Sequence, residues 1–296
     1  MPKMKLIHNI LTKIIKPFYG SGIGNYFPFK QINAFYKKIS KNEIILKEIN
    51  YGFKMFLSAG RVIDDQIKFS GVWEKHISEL LKDNLKEGDI FLDLGANIGY
   101  DSLLASKLVG ETGKVISFEP NKDNFQKLSR NIEVNNFKNI QIYKFGVGKE
   151  KSKFELFYDE SNPGATSIIK RGNHNDSLKE TIEVVKLDDF LKRARIDFIK
   201  MDIEGFEYDA ILGMKNILKE NNLKIIFEYS PIIYKSKEEN YENYSINILN
   251  ELNNLGFELY NIELDSSLSK IENNVDYFRT VSKGTGQSDI FCKKSI

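Results

Sequence analysis

The sequence has little cysteine and no long apolar run. Cys292 is the single cysteine in 296 residues, which excludes an intramolecular disulfide and a zinc site built from cysteines. Lys, Asn and Glu interrupt the apolar stretches, so none approaches the roughly 18 residues of a membrane-spanning helix. Neither sign of charge dominates, because 43 Lys and Arg stand against 41 Asp and Glu. A chain so balanced has no field that recruits nucleic acid. These absences predict a cytoplasmic protein whose specificity resides in a site.

The first 19 residues have a pattern of their own. Apolar residues recur there at helical spacing, which predicts a basic amphipathic helix with the lysines Lys3, Lys5, Lys13 and Lys16 between the apolar positions. His8 and Asn9 interrupt the apolar run, unlike the continuous centre of a signal peptide. We favour docking of residues 3–19 on the protein's own core or on a second copy of the chain. Peripheral contact with a membrane is the alternative.

After a glycine-rich joint near Pro28, the periodicity divides the chain into two parts. Alternating apolar residues on both sides of Gly52 predict a β-hairpin, so residues 1–70 are interpreted as the N-terminal helix and a small β module. In residues 71–296, buried strands alternate with helices, which predicts a doubly wound α/β domain with a mostly parallel, seven-stranded sheet. The strands are predicted at 90–94, 114–118, 140–145, 198–201, 223–227, 257–262 and 290–293, and the helices at 72–85, 100–109, 123–135, 206–219 and 244–255. No helix separates the last two strands, so the last is expected to run antiparallel.

The predicted strand at 90–94 runs into the turn D-L-G-A-N-I-G, residues 93–99, which opens a helix. Gly95 lets the backbone turn without a side chain between it and a ligand, and the helix beyond Gly99 begins with unpaired N–H groups. Asp93 can accept hydrogen bonds from a cationic amino group. The next strand ends at Glu119, whose carboxylate can accept both hydroxyls of a ribose. Together these features predict a ligand that contains adenosine.

Asn97 and Tyr100 distinguish this turn from a dinucleotide-binding loop. The pattern G-x-G-x-x-G, started at Gly95, requires glycine at both of those positions. A pyrophosphate would meet their side chains, so NAD is disfavoured. The turn instead resembles the cofactor loop of class I S-adenosylmethionine-dependent methyltransferases. The alternative is a tight strand-to-helix turn in some other α/β protein.

A second polar cluster follows the predicted strand at 198–201. The segment K-M-D-I-E-G-F-E carries Lys200, Asp202 and Glu204 to the carboxyl end of this strand. In a doubly wound sheet this strand lies across the switch point from the first. This segment and four other features together resemble the FkbM family of methyltransferases. The four are D-L-G-A-N-I-G, Glu119, V-K-L-D-D-F-L at 185–191 and I-F-E-Y at 226–229. The resemblance covers about residues 71–228.

The resemblance implies a Rossmann-like class I methyltransferase fold, S-adenosyl-L-methionine as the cofactor, and O-methylation of a hydroxyl. The acceptor would be a sugar, a glycan or a natural-product small molecule. We assign cofactor binding to the residues of the two turns, namely Asp93, Gly95, Ala96, Asn97, Gly99, Glu119, Pro120 and Asn121. Removal of the acceptor's proton is assigned to Asp202 or Glu204, with Lys200 stabilising a developing alkoxide. No metal ligand is assigned.

Other classes can be tested against the same residues. DNA amino-methylating enzymes have Pro-Pro after the Asp or Asn of the fourth strand, where this chain has Ile203 and Glu204. Cytosine-C5 methyltransferases need a cysteine nucleophile, and Cys292 is far in sequence from the loop after the fourth strand. Nucleic acid is therefore not expected as a partner. A metal-dependent O-methyltransferase that uses Asp202, Glu204 and Glu228 stays open. A structural role for these acids, in helix capping or ion pairing, is a second open alternative. A non-catalytic adenosine-binding module is the third.

Two polar segments between predicted strands, 158–174 and 265–287, are expected to be irregular and to contact the acceptor. The first contains His174, an alternative general base, because an imidazole titrates near neutral pH. Three tyrosines are candidates for lining an acceptor pocket, although a helix that buries a tyrosine face is the simpler interpretation: Tyr234, Tyr241 and Tyr244.

Overall fold

The computed structural model describes residues 43–158, 166–167 and 179–294. The predicted helix at 3–19, the glycine-rich joint, His174 and most of the segment 158–174 lie outside these residues. The chain divides into two compact units between Glu74 and Lys75, whereas the sequence was divided between residues 70 and 71. In the part of the chain that the structure describes, no helix has both the length and the apolar character needed to cross a membrane.

The first unit contains a hairpin and a helix. Its elements are β1 (Ile44–Glu48), β2 (Lys54–Ser58) and α1 (Val62–Ser70). The antiparallel pairing of β1 with β2 agrees with the alternating apolar residues. The helix α1 is not predicted, because Asp64 and Asp65 in its first turn break the apolar period. Both acids are buried and accept backbone N–H groups, from Ser58 at 2.5 Å and Gly60 at 3.1 Å.

The second unit alternates strands and helices. Its strands are β3 (Ile90–Leu94), β4 (Lys114–Phe118), β5 (Ile140–Tyr143), β6 (Gly146–Val147), β7 (Ser152–Tyr158), β8 (Thr166–Ser167), β9 (Lys179–Val185), β10 (Phe198–Met201), β11 (Lys224–Tyr229), β12 (Phe257–Ile262), β13 (Leu268–Lys270) and β14 (Ser288–Lys294). Its helices are α2 (Lys75–Asn84), α3 (Tyr100–Val109), α4 (Lys122–Asn135), α5 (Leu187–Phe190), α6 (Glu207–Gly213), α7 (Lys215–Glu220), α8 (Pro231–Lys237), α9 (Tyr241–Asn254) and α10 (Asn274–Lys283).

The central sheet has the order β13-β12-β14-β11-β10-β3-β4-β5. Strands β11, β10, β3, β4 and β5 are mutually parallel, and β14 runs antiparallel between β11 and β12. The predicted doubly wound, mostly parallel fold is therefore confirmed, including the antiparallel last strand. The predicted number of seven strands is wrong, because β13 adds an eighth at the edge of β12.

Two connections are more regular than the sequence predicts. A small sheet of order β6-β9-β7-β8 forms between β5 and β10 and packs around Leu156, Ile182 and Val184. The segment 265–287 contains β13 and α10, so the expectation of an irregular loop there is wrong.

The predicted helix at 206–219 is interrupted at Met214, which separates α6 from α7. These elements are short or polar, so their periods are weak signals.

The core explains why the central strands are recognisable. Phe91, Leu92 and Leu94 of β3 are wholly buried, because helices cover both faces of the parallel strands. Tyr234 is likewise wholly buried and packs against Tyr229, with 6.0 Å between the ring centroids. Tyr234 therefore belongs to a buried tyrosine face, the simpler of the two interpretations, and does not line an open pocket.

Candidate active site

The carboxyl ends of β3 and β10 meet at the centre of the sheet. The chain leaves β3 through α3 toward β4 on one side, whereas β10 lies on the other side of β3. Open α/β sheets bind ligands in the crevice at such a switch point. Asp93 is the register partner of Lys200, so the turns that follow the two strands are neighbours.

Gly95 marks the closest approach of these two turns. Its φ of +85° favours glycine, and a Cβ at this position would collide with the carbonyl oxygen of Asp202. The N–H groups of Gly95 and Ala96 both donate to the Phe118 carbonyl oxygen, at 2.9 and 3.0 Å. The sequence-based reason for this glycine is the approach of a ligand, whereas in the structure the turn after β10 fills the space beside it.

Glu119 joins the two turns to which cofactor binding is assigned. It is buried, and its carboxylate accepts the N–H of Asn97 at 2.8 Å and the N–H of Asn121 at 2.9 Å. Burial raises the pKa of Glu119 to about 7, although the two N–H donors partly offset this effect. A carboxylate oxygen has a second lone pair, so Glu119 can still accept hydroxyl donors.

The other predicted residues of these turns surround Glu119. Ala96 is buried, Pro120 is partly exposed, and Gly99 is the N-cap residue immediately before α3. Asn121 caps α4 by accepting a backbone N–H in its first turn at 2.8 Å. Its Nδ2 is buried without a hydrogen-bond partner among the described residues. A bound ligand with an acceptor atom would satisfy this donor.

Asp93 lies at the end of β3 and is wholly buried. Its Oδ2 accepts the Ser102 hydroxyl at 2.5 Å, whereas its Oδ1 has no partner within the described chain. Burial raises the pKa of Asp93 to about 7, and the positive charge of Lys200 opposes this rise. Ser102, which the sequence analysis missed, also lies 2.8 Å from the Ser117 hydroxyl. Its position one turn into α3 is the signal that could have identified it.

Lys200 is the centre of a buried charge cluster. Its side chain is 7% exposed, and its Nζ lies 3.4 Å from Asp101 Oδ2 and 3.4 Å from Asp202 Oδ2. Asp101, in the first turn of α3, is buried and was not among the predicted site residues. Burial raises the pKa of Asp101, against the effect of Lys200. The structure thus brings Lys200 and Asp202 together as the sequence predicts, and adds a second carboxylate.

A left-handed turn connects β10 to α6. Glu204 has a φ of 55° and Gly205 a φ of 99°. Glu207, at the start of α6, is buried and accepts the N–H groups of Ile203 and Gly205, both at 3.2 Å. Glu207 therefore holds the turn that precedes α6, and no side chain caps this helix, so the capping role considered for Asp202 or Glu204 is not seen. Burial raises its pKa to about 7.

Glu228, near the end of β11, faces the same cluster. Burial, followed by the charges of Asp202 and Glu204, raises the pKa of Glu228 to about 10. It is therefore protonated at neutral pH. Over residues 43–158, 166–167 and 179–294, no three His, Cys, Asp or Glu side chains are arranged to hold a metal ion.

Residues 93–259 match the sequence profile of the methyltransferase FkbM domain. The chain belongs to the FkbM methyltransferase family. The matched segment contains all the residues to which cofactor binding and catalysis were assigned, from Asp93 to Glu204. The resemblance seen in the sequence motifs is thereby confirmed.

Two curated relatives of the FkbM chain are methyltransferases by name. The hexuronic acid methyltransferase AglP of Haloferax volcanii is 27% identical over 158 residues, which cover 52% of this chain and 61% of AglP. Methyltransferase 1 of Beauveria bassiana is 25% identical over 148 residues, which cover 43% of this chain and 59% of that protein. The chain thus spans about three fifths of the length of these relatives.

Solved structures with a similar fold include a methyltransferase FkbM from Methylobacillus flagellatus, which is 16% identical with a TM-score of 0.41. The superposition covers 73% of this FkbM chain and 50% of the other. A SAM-dependent O-methyltransferase from Thermotoga maritima is 14% identical with a TM-score of 0.42, covering 90% of this chain and 82% of that one.

Proposed function

We propose that this chain transfers the methyl group of S-adenosyl-L-methionine to a hydroxyl oxygen of a sugar, a glycan or another small molecule. The observation that carries the proposal is the pairing of two turns at the switch point. The first turn follows Asp93 of β3 and contacts Glu119 through the N–H of Asn97, and the second follows Lys200 of β10 and begins at Asp202. Both turns lie within the segment that matches the FkbM family.

The acceptors and donors around β3 and β4 support S-adenosyl-L-methionine as the cofactor. The Oδ1 atom of Asp93 and the Nδ2 atom of Asn121 are both buried without a hydrogen-bond partner among the described residues. Glu119 keeps lone pairs that could accept ribose hydroxyls. A ligand with an ammonium group and a ribose suits these atoms. When bound, the cofactor supplies an electrophilic methyl carbon on a positively charged sulfur.

The cluster after β10 supports a reaction at oxygen. The ammonium of Lys200 is poorly solvated, so its charge would strongly stabilise an acceptor oxygen that becomes negative. The Asp202 side chain is 32% exposed and can accept the hydrogen bond of an acceptor hydroxyl. Proton removal by Asp202 or Glu204 stays a prediction. Glu228 is unsuited to that role at neutral pH, because it is already protonated.

The charge of the site bears on the class of acceptor. One relative is named for hexuronic acid, a sugar that carries a carboxylate. Here the edge of the sheet presents several acids, and Asp101 and Asp202 already share the charge of Lys200. The carboxylate of such an acceptor would be repelled by these acids. We therefore favour a neutral sugar or glycan over a uronic acid.

Binding and transfer experiments test the proposal in two steps. Calorimetry should detect binding of S-adenosylhomocysteine and no binding of NAD. Mass spectrometry should then detect a deuterated methyl group transferred from S-adenosylmethionine to methyl glycosides of neutral hexoses, and weaker transfer to those of hexuronic acids. Absence of S-adenosylhomocysteine binding would refute the proposal. Binding without transfer to any hydroxyl compound would favour a non-catalytic adenosine-binding module.

The basic segment 3–19 is proposed as a contact with the protein's own core or with a second copy of the chain, with a membrane surface as the alternative. Deletion of this segment should reduce the particle size in size-exclusion chromatography if it joins two copies. If it binds a membrane, deletion should abolish sedimentation with anionic liposomes and leave the particle size unchanged.

A further inference from the structure

His76 and Asp289 form a hydrogen-bonded pair outside the segment that matches the family. His76 lies in the first turn of α2, and Asp289 is the second residue of β14. The match spans residues 93–259. The Nε2 of His76 lies 2.8 Å from the Oδ2 of Asp289, and the two side chains are 15% and 26% exposed. A half-buried imidazole with a carboxylate partner is a common arrangement for proton transfer.

Strand register places this pair beside the residues of the proposed reaction. β14 runs antiparallel to β11, and Asp289 is the register partner of Glu228. β11 pairs with β10 so that Phe227 lies opposite Met201, the residue before Asp202. Asp202, Glu228 and Asp289 therefore stand at the ends of three adjacent strands, with about 5 Å from one strand to the next.

The first turns of α2 and α3 are joined at the same edge of the sheet. Ser78 Oγ of α2 lies 3.1 Å from Tyr100 OH of α3. The next residue, Asp101, pairs with Lys200 at 3.4 Å. Burial raises the pKa of Asp101, and the negative charge of the nearby Asp289 contributes to this rise. The histidine in the first turn of α2 thus borders the Lys200 cluster.

We propose that His76 is the catalytic residue that accepts the proton of the acceptor hydroxyl, and that Asp289 is the positioning residue that orients its ring. This inference rests on the proposed O-methyl transfer. In the tautomer with hydrogen on Nε2, the ring donates to Asp289 and Nδ1 keeps its lone pair. Among the described residues, Nδ1 has no hydrogen-bond partner. As the acceptor oxygen bonds to the methyl carbon and the carbon–sulfur bond breaks toward sulfur, the hydroxyl proton passes to Nδ1.

The surrounding charges favour the histidine over the neighbouring acids. Asp202 is engaged by Lys200 at 3.4 Å, and Glu228 is protonated at neutral pH. An imidazole is neutral near pH 7 and becomes a cation when it accepts a proton, which the Asp289 carboxylate stabilises. The charged and titratable groups of α2 are Lys75, His76, Glu79, Lys82 and Asp83. Those around Lys200 and Glu228 include Asp93, Asp101, Asp202, Glu204, Glu207 and Asp289.

NMR of the full chain saturated with S-adenosylhomocysteine tests the protonation state without an acceptor. The chain has three histidines, so comparison with His76→Gln identifies the signals of His76. We expect the neutral ring to carry its hydrogen on Nε2, where Asp289 accepts it at 2.8 Å, and Asp289→Asn to weaken this preference for one tautomer. A neutral ring that carries its hydrogen on Nδ1 would overturn the proposal.

Turnover of a methyl glycoside is the second measurement. His76→Gln should lower kcat about 10²- to 10⁴-fold and leave the affinity for S-adenosylhomocysteine within about twofold. Asp289→Asn should also lower kcat and change its pH profile, whereas loss of a merely structural pair would lower only the melting temperature. Glu79→Gln is the matched control, because it breaks the exposed pair with Lys82 at 2.7 Å on the same helix and should leave turnover unchanged.

The outcomes separate this inference from the function on which it rests. Failure of the unmodified chain to bind S-adenosylhomocysteine would refute the proposed function. Normal turnover by His76→Gln would refute only the assignment of the proton acceptor. If no glycoside is methylated, a hydrogen on Nδ1 of His76 would still refute the assignment.

Discussion

Glu119 should make the affinity for the cofactor depend on pH. Its carboxylate is buried between the N–H groups of Asn97 and Asn121, at 2.8 and 2.9 Å, and burial raises its pKa to about 7. Ribose hydroxyls need the ionised form as their acceptor, so binding draws the proton from Glu119. Because only about one tenth of the group is ionised at pH 6, the affinity for S-adenosylhomocysteine should rise about tenfold from pH 6 to pH 8, or about 1.4 kcal/mol.

Substitution of Glu119 tests the origin of this dependence. In Glu119→Gln the amide keeps one acceptor oxygen but directs an NH₂ group at the other backbone N–H. Hydrogen bonds to a charged group contribute about 1.5–3 kcal/mol each, so the affinity at pH 8 should fall at least about tenfold. The rise between pH 6 and pH 8 should disappear with the charge. Glu119→Ala removes both acceptor atoms and should reduce the affinity by at least as much.

Calorimetry at several pH values, in buffers of different ionisation enthalpy, measures both the affinity and the number of protons released. Glu133→Gln is the matched control, because Glu133 lies on the exposed side of α4 and its carboxylate accepts only the Ser129 hydroxyl among the described contacts, at 3.1 Å. An affinity that is independent of pH in the unmodified chain would refute the reasoning. So would unchanged binding by Glu119→Gln.

The same shift has the opposite consequence for the free protein. A carboxyl whose pKa is raised on folding contributes stability that is fully present below its unfolded pKa near 4.5 and is lost as the pH rises through about 7. The shift corresponds to about 3 kcal/mol. Thermal unfolding of the free chain should therefore show lower stability at pH 8 than at pH 5, and Glu119→Gln should remove part of this decline.

Three further predictions concern the turns and the N-terminus. Gly95→Ala should destabilise the chain and abolish cofactor binding, because a Cβ would collide with the carbonyl oxygen of Asp202. Gly256 has the same φ of +85°, but a Cβ added there would meet no atom within 4 Å. Thermal unfolding of Gly256→Ala therefore measures the cost of backbone strain alone. Asp202→Asn and Glu204→Gln should leave the affinity for S-adenosylhomocysteine nearly unchanged. Each should lower turnover, by about 10²- to 10⁴-fold if the substituted acid removes the acceptor's proton, and by less if His76 removes it. A chain that starts at Pro28 should bind S-adenosylhomocysteine as the full chain does, and weaker binding in calorimetry would assign part of the cofactor site to residues 1–27.

Local sequence determined the elements and the order of the site along the chain. The bounds of β3, β4, β10 and α3 agree with those predicted, because each is an apolar run or a helical period that ends at a glycine or a polar residue. The motif that begins at Asp93 and the one that begins at Lys200 were both recognisable without a structure. In a parallel sheet their strands must end at the same edge, so the place proposed for the cofactor followed from the sequence.

Only the tertiary structure decided which side chains act together at that edge. His76 and Asp289 are 213 positions apart, and their contact depends on α2 and on the insertion of β14 beside β11. The burial that raises the pKa of Glu119 depends in the same way on packing between elements distant in sequence. Periodicity and motifs report neighbours within about one turn or one strand, whereas hydrogen bonds and desolvation depend on the folded distance between groups.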